Sequence, residues 1–203
     1  MSLTPLDRRL VRLSALIALG RWDELGALRA AAPAGEPDRR WREVVLQAHL
    51  FAGFPRALEA ASVLAAAGGL GAPDADERAE AAPAPAAGRA LFDAIYGARA
   101  ADVRAELERA HPLLARWVAE HAYGRVLARA GLAPDRRELC AVAALAAQGQ
   151  ERQLAAHARG AVRLGASAAE VGETIEELAA WMEPAGLARA REVVARFTRE
   201  ERP

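Results

Sequence analysis

Residues 131–171 read GLAPDRRELCAVAALAAQGQERQLAAHARGAVRLGASAAEV, and this stretch decides the fold of the chain. Its apolar residues recur every three or four positions, which is the period of an α-helix. A proline at the first helical turn and a Ser-x-x-Glu box, here Ser167 to Glu170, are both typical of helix starts. The stretch therefore predicts helices from Pro134 to Gln148 and from Gln150 to Leu164, and a third that continues from Ala168 to Met182.

The helical period extends through the rest of the sequence, where alanine, leucine, arginine and glutamate dominate and β-branched or aromatic runs are scarce. The sequence therefore predicts an all-α fold. Residues 68–88 are rich in glycine, proline and alanine, a composition that is typical of a linker. We accordingly expect an N-terminal helical unit at residues 1–67, a linker at 68–88 and a C-terminal helical unit at 89–203.

Two pairs of short segments indicate that these units repeat one pattern. LDRRL at residues 6–10 resembles PDRREL at 134–139, and AGFPRA at 52–57 resembles AGLARA at 185–190. Similar segments in the same order predict two diverged copies of one helical unit. In the first copy Leu10 stands where the second copy has Glu138, so the first copy is expected to act as scaffold.

Charge and composition argue against several classes of function. The 27 basic and 27 acidic residues cancel, so the field that attracts a phosphate backbone is missing and nucleic acid is not expected as a partner. No apolar run approaches the roughly 20 residues of a membrane span, and the N-terminus lacks a signal-like pattern. We therefore expect a cytoplasmic protein without a membrane partner.

Cys140 is the only cysteine, which excludes a disulfide within one chain.

Four motifs follow one another in the second half of the chain: AYGRVL at residues 122–127, GLAPDRREL at 131–139, LAAH at 154–157 and GASAAEV at 165–171. Their order and spacing resemble those of the carboxymuconolactone decarboxylase superfamily, which includes the alkylhydroperoxidase D proteins. Residues 41–55 resemble the helix that closes each family repeat. The resemblance implies two diverged helical repeats of this superfamily and a homo-oligomeric assembly.

The resemblance also bears on sulfur chemistry. In the peroxidase branch the active site is formed by a glutamate, two cysteines and a histidine, and the same spacing here gives Glu138, Gln150, Gln153 and His157. Glutamine has neither a nucleophilic thiolate nor a redox couple, so thiol peroxidase activity is disfavoured. Cys140 falls where the family motif has no catalytic cysteine, and we expect it to be a small buried thiol.

The decarboxylase branch also lacks the thiol pair and keeps a histidine in this helix. Its enzymes release carbon dioxide from a carboxylated lactone, which requires a proton donor and cationic groups that hold carboxylates. The resemblance therefore implies that His157 and Glu138 form the catalytic pair. The candidates for substrate binding are Gln150, Gln153, Tyr123, His121 and Arg137, with Arg136 and Arg159 as further guanidinium groups suited to a carboxylate.

Each candidate also has a structural interpretation. Glu138 and His157 could form a buried hydrogen bond without catalysis, and His121 or Tyr123 could line a core. The four histidines are spread without His-x-x-x-His spacing, so we expect neither a metal nor a cofactor. Two functions stay open. One is a decarboxylase or lactone-processing enzyme that acts on a small carboxylated molecule; the other is a non-catalytic helical oligomer or scaffold.

Overall fold

The computed structural model describes residues 2–78 and 84–199. Over these residues the chain forms eleven α-helices, one 3₁₀ turn and one π-helical segment, and it contains no β-strand. The expectation of an all-α fold is therefore confirmed. None of the helices in the described part of the chain combines the length and the apolar character that crossing a membrane requires.

The helices succeed one another along the chain with short connections. They are α1 (Pro5–Leu19), α2 (Trp22–Ala30), α3 (Asp38–Ala66), α4 (Ala75–Arg78), α5 (Pro85–Tyr96), α6 (Ala100–Ala110), α7 (Pro112–Trp117), α8 (Pro134–Ala147), α9 (Glu151–Arg163), α10 (Ala168–Glu176) and α11 (Pro184–Arg199). A 3₁₀ turn at Gly97–Arg99 joins α5 to α6, and the π-helical segment Val118–Leu127 continues α7.

Helix starts lie where their capping residues predict. The Thr4 side chain accepts a hydrogen bond from the backbone N–H of Asp7, whose carboxylate accepts one from the Thr4 N–H, and Pro5 occupies the first turn of α1. Ser167 and Glu170 form the same reciprocal box at the start of α10. Such boxes satisfy N–H groups that have no partner within the helix. The Ser-x-x-Glu prediction is confirmed.

Helices α1, α3, α8, α9, α10 and α11 share one hydrophobic core, so both halves of the sequence contribute to it. α1 packs against α8, and the buried Ser14 hydroxyl donates a hydrogen bond to the Cys140 carbonyl oxygen at 2.7 Å. Ion pairs also cross between the halves. Arg8 on α1 lies 2.6 Å from Glu173 on α10, and Arg137 on α8 lies 2.7 Å from Glu43 on α3.

The segment expected as a linker at residues 68–88 is partly helical. α4 lies within it and α5 begins at Pro85, before the expected end of the linker, while residues 79–83 lie outside the described residues. Proline fits the first helical turn and alanine favours the helix, so these residues extend α5. Gly88 is buried at a close crossing, where an added Cβ would lie 2.6 Å from the Gly124 Cα.

Three helical segments are shorter or less regular than a continuous α-helix. The helix that begins at Pro112 changes to π-helical geometry at Val118, and the one expected to reach Met182 ends at Glu176. In α3 the backbone at Gly53 is non-helical, with φ of 81° and ψ of 160°. The left-handed φ favours glycine, and it places a kink in α3 at this residue.

Candidate active site

Glu138 and His157 meet between α8 and α9. A three-residue connection at residues 148–150 returns the chain, so the two helices lie side by side. The His157 Nδ1 and the Glu138 Oε2 are 2.8 Å apart, and both side chains are buried. Since a carboxylate only accepts, Nδ1 carries the hydrogen and donates it. The pair that the sequence spacing suggested is therefore in direct contact.

The pKa of His157 reflects two opposing influences. Burial lowers the pKa because it disfavours the charged imidazolium, whereas the charge of Glu138 and its hydrogen bond raise it. The charge and the hydrogen bond of Glu138 together outweigh the effect of burial, so the pKa of His157 lies above its usual value of 6.5. Protonated His157 can therefore act as an acid near neutral pH, with Nε2 as the nitrogen that is not engaged by Glu138.

Gly160 allows the carboxylate to approach α9. An added Cβ at this position would lie 2.8 Å from the Glu138 Oε2 and 2.8 Å from the Ile95 Cγ2. Cβ atoms in proteins essentially never lie this close to another heavy atom, so any side chain at this position would displace Glu138 or Ile95. Glycine one turn after His157 is thus part of what positions the pair.

His157 lines a cleft of about 1220 Å³, whereas Glu138 lies behind the ring and does not line it. The cleft is lined by residues of α5, α6, α7 and the π-helical segment, and by residues of α9 and α11. Phe51 from α3 packs edge-on against the His157 ring, with 5.7 Å between the ring centroids. A ligand in this cleft can reach the histidine, and Glu138 can act only through it.

Two tyrosines lie in the cleft wall near the pair. The Tyr123 hydroxyl donates a hydrogen bond to the Tyr96 hydroxyl at 3.2 Å. Burial raises the pKa of both phenols, and the charge of Glu138 raises each further. Both tyrosines therefore stay neutral near neutral pH, so the Tyr96 hydroxyl can serve as a hydrogen-bond donor to a ligand oxygen.

The rim of the cleft carries more positive than negative charge. Six arginines and three glutamates line it. Two of the glutamates are paired: Glu106 contacts Arg152, and Glu151 lies 3.1 Å from Arg189. The excess of guanidinium groups favours an anionic ligand, and guanidinium matches the geometry of a carboxylate. The arginines are Arg99, Arg152, Arg159, Arg163, Arg189 and Arg196.

Four of the substrate-binding candidates line the same cleft as His157: Gln150, Gln153, His121 and Tyr123. Arg159, the further guanidinium candidate on α9, also lines it. The His121 Nε2 lies 2.8 Å from the His49 Nε2. Burial lowers the pKa of His121, and the charges of His49 and Arg125 lower it further. Their shared location keeps these residues as candidates for ligand contact.

Arg137 does not reach the cleft, which corrects the expectation that it binds substrate. Its side chain is 1% exposed, pairs with Glu43 at 2.7 Å and donates a hydrogen bond to the Gln47 side-chain oxygen at 3.2 Å. Arg136 likewise lies outside the cleft and pairs with Glu170 at 2.8 Å. Both guanidinium groups are held by carboxylates of other helices, so they stabilise the fold.

Sequence reasoning did not identify Tyr96, Arg99 and Arg163 as cleft residues. Tyr96 and Arg99 follow the segment that was read as a linker. Arg163 ends α9, and its Nη1 donates a hydrogen bond to the Ile95 carbonyl oxygen at 2.9 Å. Arg163 lies six positions after His157, which is not the three- or four-residue spacing of a shared helical face, so the helical period gave no signal for it.

The equivalent position in the first half of the chain is occupied by packed side chains. Leu10, the counterpart of Glu138, is 1% exposed within the core. Arg29 on α2 stacks over Trp41 at 5.2 Å and pairs with Asp38 at 2.7 Å. These contacts leave no acid and histidine pair there, as the scaffold interpretation requires.

Sulfur chemistry within this chain would depend on Cys140, its only cysteine. Cys140 is buried, and burial raises the pKa of its thiol to about 12, so the thiolate is scarce. Gln150 and Gln153, for which the sequence resemblance implied the dithiol positions, carry amide side chains and line the cleft. Within residues 2–78 and 84–199, no three side chains of His, Cys, Asp or Glu lie close enough together to hold a metal ion.

The sequence matches a family model that is described as Carboxymuconolactone decarboxylase family, over residues 2–66 and 112–200. A search of curated proteins found no match. The two matched segments include the helices that carry Glu138 and His157, and they correspond to the two halves that share similar motifs. Residues 67–111 fall outside the match, although α5 and α6 of this segment form one side of the cleft.

Proposed function

Because the chain belongs to the carboxymuconolactone decarboxylase family, we propose that it is a carboxy-lyase or lactone-processing enzyme that acts on a carboxylated substrate in the His157 cleft. His157 is the catalytic acid or base in this proposal. Glu138 is a positioning residue, since it holds the imidazole from behind and stabilises its protonated form. The arginines of the rim hold a carboxylate of the substrate that is retained in the product.

The reaction transfers one proton to carbon. The bond between a substrate carbon and its carboxylate breaks, carbon dioxide leaves, and the electron pair stays on that carbon, delocalised into the lactone carbonyl. The Nε2–H of protonated His157 then supplies the proton of the new C–H bond, and solvent protonates the ring again. The neutral Tyr96 hydroxyl can donate a hydrogen bond to the carbonyl oxygen as charge develops on it.

The observation that carries the proposal is the 2.8 Å contact between Glu138 and His157 at the wall of an arginine-lined cleft. A carboxylate that holds a histidine in one orientation is typical of acid–base sites. The same contact could serve stability alone, which is the scaffold alternative. The loss of the acid and histidine from the first half is the observation that favours that alternative.

A screen of carboxylated lactones, followed by ultraviolet absorbance, tests the proposal on the native chain and on His157→Asn. The introduced asparagine amide can still donate to Glu138 in place of Nδ1 but cannot transfer a proton, so turnover should fall by about 100-fold or more. The melting temperature should change by only a few degrees. Undiminished turnover in His157→Asn would contradict the role of the histidine, and absence of turnover with every lactone would support the scaffold.

A further inference from the structure

The helices α5 and α6 lie outside the two segments that match the family, and they nevertheless build one wall of the cleft. Tyr96 ends α5, and the α6 residues Val103 and Leu107 follow along the same wall. The site therefore combines a histidine from a matched segment with a surface from outside the matched segments. Because residues of α5 and α6 line the cleft, they help to determine which molecule fits there.

The two sides of the cleft differ in chemical character. Val103 and Leu107 on α6, with Trp117 and Val118 beyond them, give the first side an apolar surface, and Trp117 is 62% exposed. Five of the six arginines lie on α9 and α11, and one of them, Arg152, contacts Glu106 of α6. A molecule that satisfies both sides has an apolar body and an anionic group.

The size of the cleft bears on the length of that molecule. Its volume of about 1220 Å³ exceeds the roughly 300–1,000 Å³ that is typical of sites for drug-sized ligands. A carboxylated five-membered lactone would fill only a small part of it and would leave the α6 surface uncovered. Apolar surface contributes to affinity only when a ligand removes it from water.

We propose that the cleft binds an elongated amphipathic carboxylate, with its hydrocarbon body along α6 and α7 and its carboxylate on the arginines of α9 and α11. The polar end then lies on the same side as His157, and the tail extends toward Trp117. As a statement of substrate class, this inference rests on the proposed function of the His157 site. It replaces the small substrate that the sequence suggested with a longer one.

Calorimetric titration of the native chain with hexanoate, octanoate and decanoate, below their micelle concentrations, tests the proposal. Affinity should rise at least twofold for each added methylene, against a limit of about fourfold for a methylene that is fully buried. Decyltrimethylammonium, which has the same tail and the opposite charge, should bind at least tenfold more weakly than decanoate. Affinity that is independent of chain length, or equal affinity for the cation, would overturn the proposal.

A matched pair of variants locates the tail. Val103→Glu places a carboxylate on the apolar wall and should weaken decanoate binding by about tenfold or more, because the new charge repels the ligand and must be desolvated. Ala105→Glu adds the same charge to an exposed position of α6 that does not line the cleft, and it should retain native affinity. An equal loss of decanoate affinity in both variants would contradict the placement of the tail along α6. Melting temperatures check that both variants fold.

These titrations measure binding and do not require turnover. Failure of every lactone to react would therefore contradict the proposed function while the dependence on chain length still stands. Conversely, turnover of a small lactone together with no preference for longer carboxylates would preserve the proposed function and overturn the substrate class. The two ideas consequently fail in different experiments.

Discussion

At the residue scale, Glu138 determines the protonation of His157. Burial alone would leave the imidazole neutral, and the adjacent carboxylate reverses this by favouring the imidazolium. Because the folded-state pKa lies above the usual 6.5, the pair adds stability that is complete below pH 6.5. This stability is lost as the pH rises through the raised pKa. A single contact therefore links the chemistry of the site to the pH dependence of stability.

Glu138→Gln should lower the pKa of His157. The amide removes the negative charge while burial remains, so the influence that disfavours the imidazolium then dominates. Nuclear magnetic resonance of the His157 ring during a pH titration measures this change. Glu108→Gln makes the same substitution at an exposed carboxylate on α6 and should leave the titration unchanged. An unaltered midpoint in Glu138→Gln would show that Glu138 does not govern the ring.

Contacts over a long sequence separation explain which site residues the sequence could and could not identify. Glu138 and His157 lie on consecutive helices and match the family motif in their spacing, so the resemblance implied that they form a pair. The partner of Arg137 is Glu43, which is 94 positions away. Nothing in the local pattern of α8 distinguishes an arginine that is buried against such a partner from one that faces a ligand. Periodicity gives the face of a helix, but not what covers that face.

At the element scale, small residues control how closely the site helices approach. Gly160 on α9 leaves room for Glu138 and Ile95, and Gly88 on α5 leaves room for Gly124 in the π-helical segment. From sequence, Gly88 was indistinguishable from the flexible glycines of a linker, because composition carries no information on tertiary contact. The onset of π-helical geometry at Val118 was likewise not predictable from a helical period.

Gly160→Ala should destabilise the protein by about 1–3 kcal/mol, because its Cβ would displace the Glu138 carboxylate or Ile95. Gly172→Ala is the matched control. It replaces a glycine within α10 whose Cβ would meet nothing within 4 Å, so it should stabilise by about 0.5–1 kcal/mol through its better helix propensity. Urea unfolding measures both changes. The same sign of change for the two variants would contradict the close approach of Glu138 to α9.

At the scale of the whole molecule, several large apolar side chains remain exposed on α3. Leu46, Phe54 and Leu58 are 46%, 61% and 70% exposed. Exposed apolar side chains often mark association sites, and the sequence resemblance implied a homo-oligomer. We propose that a second copy of this chain covers α3.

Light scattering of the native chain should accordingly give a mass above that of one chain. Leu58→Glu should shift the mass toward the monomer, because a carboxylate at a self-associating surface must be desolvated in every copy. Circular dichroism checks that the variant keeps its helices. A native chain that stays monomeric at high concentration would contradict the self-association.

The packing of α1 against α8 has a consequence for how the protein is made. Ser14 and Cys140 are 126 positions apart, and a ribosome that adds roughly 5–20 residues per second needs roughly 6–25 s to cover that distance. During this interval the face of α1 that α8 covers has emerged without its native partner. The nascent chain therefore exposes apolar surface for seconds until α8 is complete.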